Sequence, residues 1–312
     1  MSSSLACISC RSLFLGSVLL LAITSRAAAQ DSSAVPDGGA PSVAADYPLA
    51  NAQRPLTLRA RLLPIAAVLG FRQTCASSLG SSGCWDKLLS IGGGLAYGIT
   101  DDLEVGATLP SFQLVTRTKS ALASTPRMDS DDPSLYVLYR FLAGEVDLGA
   151  RVDVSIPLQS TLQIDAGVPL WWKASPAVAL RTGVTASMVR PDLTVGTDVP
   201  GRLELLVPAQ LILQATRGLW VGVGAGFGYT FTAPQLADGL SVPLSVELGV
   251  AAARASGAPI IEVIGSFRVT SFFELGNGSR VLPASGAGGA DGMSSRTWEG
   301  SLGARLYLDT RP

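Results

Sequence analysis

The chain has 312 residues, 23 Lys and Arg against 24 Asp and Glu, and a mean hydropathy of +0.37. Charged residues make up only 15%, which excludes a basic nucleic-acid binder and an acidic disordered chain. Histidine is absent, which excludes sites built on a histidine general base or a histidine metal ligand. The composition therefore predicts a protein that is not an enzyme and that uses no cofactor or metal.

Residues 1–29 predict a secretory signal peptide. Arg11 precedes the apolar run 13–23, and Ala27 and Ala29 supply the small residues that a cleavage site needs. The apolar run is too short for a helix that spans a membrane. Residues 30–54 are rich in Ala, Ser, Pro, Gly and Asp and lack periodicity, which predicts a flexible periplasmic N-terminal arm. The alternative is an arm that enters a barrel lumen as a plug.

Two cysteines, Cys75 and Cys84, follow the predicted signal peptide in a stretch rich in Ser and Gly. In an oxidising compartment they are expected to form a disulfide, worth ~2–3 kcal/mol through restriction of the unfolded chain. Free thiols are the alternative. Two sulfurs nine residues apart supply too few ligands for a metal site.

Apolar and polar residues alternate along most of the remaining chain, which is the pattern of β-strands with two different faces. In segment 146–156, Val152 and Val154 share one face, whereas Arg151 and Asp153 share the other. Most of these segments are longer than the ~5–6 residues usual in soluble sheets, and they reach the ~9–11 residues that a tilted strand needs to cross a bilayer. Twelve segments show the pattern: 56–65, 88–99, 103–109, 134–141, 146–156, 161–173, 177–189, 203–214, 219–231, 242–252, 261–271 and 298–309.

The connections between these segments alternate between short turns and long loops, as in outer-membrane barrels. A soluble β-sandwich also alternates, but its strands are shorter, and here no Asp, Glu, Lys or Arg lies on the apolar face of any segment. Residues 55–312 are therefore predicted to form an all-β, single antiparallel up-and-down transmembrane β-barrel of about 12 strands. Its expected surroundings are the lipid and lipopolysaccharide of the bacterial outer membrane. The long loops are predicted at 66–87, 110–133, 190–202, 232–241 and 272–297.

Two resemblances support this assignment. Residues 301–308 resemble the signal on the last strand of outer-membrane barrels, which implies the β-barrel assembly machinery as a partner; the chain departs from that signal by continuing through Asp309 to Pro312. Residues 54–58 and the hairpin 94–106 resemble the transporter-like outer-membrane barrels grouped with meta-pathway phenol-degradation proteins. That resemblance implies the passage of small solutes and identifies no site residues.

Four prolines lie inside or near the ends of the predicted strands, namely Pro64, Pro169, Pro208 and Pro243. Each removes a donor from the hydrogen-bond ladder, and in lipid such a gap is costly. They are expected to mark strand ends or bulges.

The alternation predicts which residues face the lumen. Inward positions carry equal numbers of cations and anions, which suggests mutual pairing across a narrow interior instead of a strong ion filter. For most of these charges the expected role is therefore a salt bridge that only stabilises the lumen. The cations are Arg59, Arg61, Arg140, Arg151, Lys173, Arg181, Arg202, Arg268 and Arg305. The anions are Glu104, Asp147, Asp153, Asp165, Glu204, Glu247, Glu262, Glu299 and Asp309.

A stripe of glycines, Gly222, Gly224, Gly226 and Gly228, is also predicted to face the lumen. It opens no helix, so it does not predict a nucleotide loop. It either permits strong coiling of the barrel or leaves room for a solute or plug. Because the inward residues are small and polar, the sequence predicts a water-filled interior and a passive channel or transporter for small solutes. The alternative is a closed structural or adhesive barrel that acts through its extracellular loops.

Overall fold

The computed structural model describes most of the chain beyond the predicted signal peptide. That prediction and residues 30–46 of the predicted arm lie outside the described residues. The described ranges are 47–78, 81–116, 127–130, 132–157, 162–190, 202–231, 239–253, 259–276, 281–282 and 294–310.

Nearly all of the described chain is β-strand. Apart from the strands, a single turn of 3-10 helix spans Asn51–Gln53. No helix in the described ranges is long and apolar enough to cross a membrane. The strands are β1 (Leu62–Ser78), β2 (Ser81–Gly98), β3 (Leu103–Thr116), β4 (Arg127–Ser130), β5 (Ser134–Leu142), β6 (Val146–Ser155), β7 (Leu162–Ser175), β8 (Val178–Arg190), β9 (Arg202–Gln214), β10 (Leu219–Phe231), β11 (Gly239–Ala253), β12 (Pro259–Gly276), β13 (Val281–Leu282) and β14 (Ser294–Asp309).

The strands close into a barrel. Each long strand pairs antiparallel with its neighbours in sequence, and β1 pairs with β14 from Leu62 opposite Asp309 to Ser77 opposite Ser294. In the described part of the chain twelve strands complete the ring, while β4 pairs only with β3 and β13 only with β12. Closure removes both sheet edges, so the backbone donors and acceptors are satisfied without water. The predicted antiparallel barrel of about 12 strands is confirmed.

The outer surface of the barrel is apolar. In β6, Val152 is 46% exposed, whereas Asp147, of opposite parity, is 0% exposed. Large apolar side chains exposed all around a closed sheet are a liability in water and the expected surface in lipid. The chain is therefore an outer-membrane barrel. Other exposed apolar residues include Ile65, Leu69, Ile91, Leu109, Leu135, Val184, Leu211, Val223, Val246, Ile261 and Leu302.

The first three strands differ from their predicted bounds. The predicted first strand, 56–65, is wrong: β1 starts at Leu62 and continues to Ser78. The predicted loops 66–87 and 110–133 are wrong in large part, because β1, β2 and β3 extend far into them. Strands of 17 and 18 residues are longer than a bilayer requires. Beyond the lipid neither face needs to be apolar, so the hydrogen-bond ladder continues where the alternation fades.

Glycines on neighbouring strands accommodate two of the prolines. Pro208 lies within β9 opposite Gly226, and Pro169 lies within β7 opposite Gly183. A Cβ on Gly226 would lie 2.7 Å from the Val207 carbonyl oxygen, and a Cβ on Gly183 would lie 2.6 Å from the Val168 oxygen. The sheet thus tolerates a proline at positions where a glycine on the neighbouring strand allows the two backbones to approach closely.

The other two prolines fit the expected irregular positions. Pro64 lies near the start of β1. The register between β11 and β12 shifts between Val242 and Leu244, which places a bulge at Pro243.

The hairpin of β1 and β2 places Cys75 opposite Cys84 in the backbone register. Directly opposed residues of antiparallel strands have Cα atoms ~4.5–5.5 Å apart, which is within the range that a disulfide spans. The side chains of both cysteines lie outside the described part of the structure, so the disulfide stays a prediction.

A closed barrel with this outer surface should resist dissociation in detergent. We expect the folded protein to migrate faster than the boiled protein in cold SDS gels and to sediment with outer membranes, because the closed ladder has no free edge at which to unravel. Gel mobility before and after boiling, together with membrane fractionation, measures this. Recovery as a soluble periplasmic monomer would contradict the membrane assignment.

Candidate functional site: the barrel lumen

The N-terminal segment, residues 47–61, fills one end of the lumen. This is the end at which the short turns lie, and in outer-membrane barrels the short turns face the periplasm. The prediction of a flexible arm over 30–54 is therefore wrong for 47–54, and the barrel begins at Leu62, not at residue 55. The segment contributes much of the protein's buried interior, through Tyr47, Asn51, Ala52, Arg54, Thr57 and Leu58.

Arg54 anchors the segment to the barrel wall. Its Nη1 donates to both carboxylate oxygens of Glu262 on β12, at 2.9 and 2.8 Å. Glu262 is 0% exposed and also accepts from the Tyr307 hydroxyl at 2.8 Å and from Trp220 Nε1 at 3.1 Å. The remaining guanidinium donors reach the carbonyl oxygens of Pro48 and Leu49. A buried ion pair with this many hydrogen bonds fixes the position of the segment, because either partner alone would be an uncompensated buried charge.

The backbone of the segment donates to two further wall carboxylates. The Leu56 N–H donates to Asp147 Oδ2 at 2.9 Å, and the Leu58 N–H donates to Glu104 Oε2 at 2.7 Å. Asp147 also lies 2.9 Å from Lys173 Nζ. These carboxylates thus accept hydrogen bonds from backbone N–H groups of the segment, which runs through the lumen and has no partner strand.

The turn between β2 and β3 holds the end of the segment. Asp101 accepts from the Ala60 N–H at 3.0 Å and from Arg59 Nη1 at 2.8 Å, and its carbonyl oxygen accepts from Thr57 Oγ1 at 2.6 Å. The Ala60 hydrogen bond and the Arg59 charge hold the pKa of the Asp101 carboxyl below its usual value. The turn therefore carries a carboxylate at neutral pH and binds the segment in that form.

Two cavities occupy the lumen beyond the segment. The first, about 390 Å³, is bounded by the segment itself and by wall residues that include Glu104, Tyr136, Arg151 and Trp171. The second, about 540 Å³, lies further toward the long-loop end and includes Ser90, Gln210, Ser245 and Glu247 in its lining. Arg181 lines both. Arg181 therefore lies where the two cavities adjoin.

Arg181 differs from the other arginines of the first cavity in lacking a carboxylate partner. Arg54 binds Glu262, Arg151 binds Asp153 at 2.6 Å, and Arg305 lies 3.6 Å from Glu262. Within the described chain, Arg181 makes no hydrogen bond or ion pair; its guanidinium lies over the Trp171 ring, 4.3 Å from the centroid. The two residues face each other across β7 and β8.

The structure brings most of the sequence-predicted lumenal residues to the interior. Those that line the cavities are Glu104, Arg151, Arg181, Gly224, Glu247, Arg268 and Arg305. Asp147 and Glu262 contact the segment, while Arg140 contacts Asp102 and Asp147. Asp165 accepts from Gln163, and Glu299 binds Arg72 at 2.7 Å. Glu204, Gly222 and Gly226 share the inward parity of their strands.

Arg59 and Arg61 do not lie on a strand, contrary to the prediction. Both precede β1, Arg59 pairs with Asp101 in the turn, and Arg61 is exposed with a φ of 66°. The cause is the misplaced first strand, since residues 56–58 form no strand and belong to the lumenal segment. No local sequence pattern indicates the roles of Arg54, Tyr307, Trp220 and Trp171, because these roles depend on contacts with distant parts of the chain.

The glycine stripe lets neighbouring side chains lie flat against the wall. A Cβ on Gly222 would lie 2.8 Å from Gln210 Nε2, and a Cβ on Gly224 would overlap the Ser245 hydroxyl. The space beside these glycines is thus partly taken by polar side chains of β9 and β11, although Gly224 still lines the second cavity.

Solved structures with similar folds include outer-membrane channels. No protein-family model matches the sequence, and a search of curated proteins finds no relative. An outer membrane channel from Pseudomonas putida F1 matches with a TM-score of 0.57 at 14% identity, over 81% of this chain and 97% of that one. At this identity the likeness supports the fold, as the resemblance of the hairpin 94–106 implied.

Two further structures match less closely. The monoaromatic hydrocarbon channel CymD has a TM-score of 0.44 at 8% identity, over 80% of this chain and 89% of that one. A FadL homologue from Pseudomonas aeruginosa has a TM-score of 0.43 at 8% identity, over 83% and 94%.

Proposed function

We propose that this barrel is a passive channel for small solutes, whose route runs through the second cavity, past Arg181, into the first cavity. The observation that carries the proposal is the pair of lumenal cavities that share one lining residue. A barrel with a purely structural role does not require polar cavities in its lumen, whereas a channel requires a polar, water-filled interior. The Pseudomonas putida protein of similar fold is described as an outer membrane channel, which agrees with this function.

The N-terminal segment closes the periplasmic end of this route. Passage therefore requires the segment to shift or a solute to pass beside it. The segment is bound to several strands and to the turn between β2 and β3 by hydrogen bonds and two ion pairs, so its position is defined. We propose that it limits the flow of solute through the channel. We expect wild-type conductance to be small for a 12-stranded barrel.

Single-channel conductance in planar bilayers tests the function directly. Gly224 lines the second cavity, and a tryptophan there would project into the route, so Gly224→Trp should lower conductance by at least half without preventing assembly. The matched control is Val223→Trp on the same strand, because Val223 is 50% exposed on the outer face and its replacement should leave conductance unchanged.

The outcomes separate the two functions. A wild-type barrel that folds and conducts nothing would contradict the channel and favour the closed barrel that acts through its loops. Equal losses in Gly224→Trp and Val223→Trp would show that the effect comes from altered folding instead of a narrowed route.

A further inference from the structure

We infer that Arg181 and the first cavity form a binding site for a small carboxylate with an apolar body, which the solute occupies on its way through the barrel. This inference rests on the proposed channel function and names the class of solute. Arg181 lies where the two cavities meet, so a solute that follows the route must pass its guanidinium.

The charge around the first cavity favours an anion. Four arginines line it (Arg54, Arg151, Arg181 and Arg305) against one carboxylate, Glu104. Glu104 is already bound by the Tyr136 hydroxyl at 2.6 Å and by the Leu58 N–H. Three of the arginines are likewise engaged by protein carboxylates, so Arg181 is the one that is free to take a ligand anion.

The geometry at Arg181 favours a planar carboxylate. The guanidinium stacks on the Trp171 ring, which restrains its plane while leaving its in-plane N–H donors unoccupied within the described chain. Those donors form a fork that matches two carboxylate oxygens at once. Glu247, which lines the second cavity, interacts electrostatically with Arg181, but no direct ion pair joins the two residues. A solute carboxylate would therefore not have to displace a protein partner.

The walls beside Arg181 favour an apolar body on the same solute. Trp171, Leu138, Tyr136 and Pro169 line the first cavity, and Leu56 and Leu58 of the segment complete it. The indole N–H of Trp171 is buried and has no hydrogen-bond partner among the described residues, so it remains a donor that an oxygen atom of a bound solute could satisfy. A volume of about 390 Å³ lies within the ~300–1,000 Å³ usual for small-molecule sites, so one small ring with a carboxyl group fits.

The test is calorimetric titration of the purified full-length barrel in detergent with benzoate and with benzamide, its neutral counterpart. Wild type should bind benzoate at least tenfold more tightly than benzamide. Arg181→Gln should remove that preference, whereas Arg181→Lys should keep part of it, because lysine retains the charge and loses the fork. The control is Arg268→Gln, which removes another lumenal arginine, in the second cavity, and should bind benzoate as wild type does.

Two results would overturn the inference. One is equal binding of benzoate and benzamide by wild type. The other is an equal loss in Arg268→Gln and Arg181→Gln, which would indicate general attraction of anions by lumenal charge. Conductance in potassium chloride separates this inference from the channel function. A barrel that conducts but does not bind benzoate would contradict the binding site and leave the channel function standing. A barrel that binds benzoate but never conducts would contradict the channel function and leave the binding site standing.

Discussion

Replacing Glu262 with alanine is expected to release the N-terminal segment from the lumen and to raise conductance several-fold. The carboxylate is fully buried and accepts from Arg54, Tyr307 and Trp220. Its removal leaves the Arg54 charge buried with no carboxylate in contact, at a cost of ~3–5 kcal/mol. The segment can avoid that cost by leaving the lumen, since it is joined to the barrel only at Leu62.

Cysteine labelling measures the release independently of conductance. With Cys75 and Cys84 replaced by serine, a Thr57→Cys reporter in the buried segment should react slowly with a water-soluble maleimide and at least tenfold faster when Glu262→Ala is added. Glu262→Gln should fall between the two, because it keeps an acceptor for Arg54 and loses the charge. Glu299→Ala is the matched control: it breaks a lumenal ion pair with Arg72 that does not touch the segment. Equal labelling in all variants would show that Glu262 does not hold the segment.

Replacing Val152 with arginine should destabilise the barrel by ~2–4 kcal/mol. The side chain at this position of β6 faces lipid, so folding would transfer the arginine charge from water into the bilayer. Unfolding by urea in lipid or detergent micelles measures the change in free energy. Ser155→Arg is the control on the same strand, since Ser155 has the inward parity and its hydroxyl bonds only the Gln163 backbone. Equal damage at both positions, or greater damage at Ser155, would contradict the assignment of faces.

The strands that cross lipid were predictable because lipid imposes one simple rule on them. Segment 219–231 coincides with β10, and 203–214 differs from β9 by one residue, since each outward position must be apolar and each inward one is free to be polar. The same rule explains the error in β2, whose outer part, residues 81–87, needs no apolar face. In β1 the signal is lost for another reason: Ala66 and Val68 on the inner face are as apolar as Leu69 and Phe71 on the outer face, so the alternation disappears. Periodicity thus identifies the transmembrane part of a strand, not its full hydrogen-bonded length.

The lumenal segment could not be predicted in the same way. Residues 56–58 alternate in polarity like a strand, yet they include a bend, and the backbone N–H groups of Leu56 and Leu58 donate to side-chain carboxylates and not to a neighbouring strand. Arg54 meets Glu262 across 208 residues of sequence, and no local pattern encodes such a contact. The equal count of inward charges suggested pairing between strands, whereas three of the carboxylates, at positions 104, 147 and 262, bind the segment.

The contact between Arg54 and Tyr307 joins residues 253 positions apart and links the lumenal segment to β14, the strand that closes the ring against β1. Contacts this distant in sequence form late, because the entropy of closing so large a loop must be overcome first. The segment can therefore reach its final position only once the last strand, which carries Tyr307, is present. Completion of the seam and occupation of the lumen become one cooperative event, and an unfinished ring is left without the interior that would stabilise it.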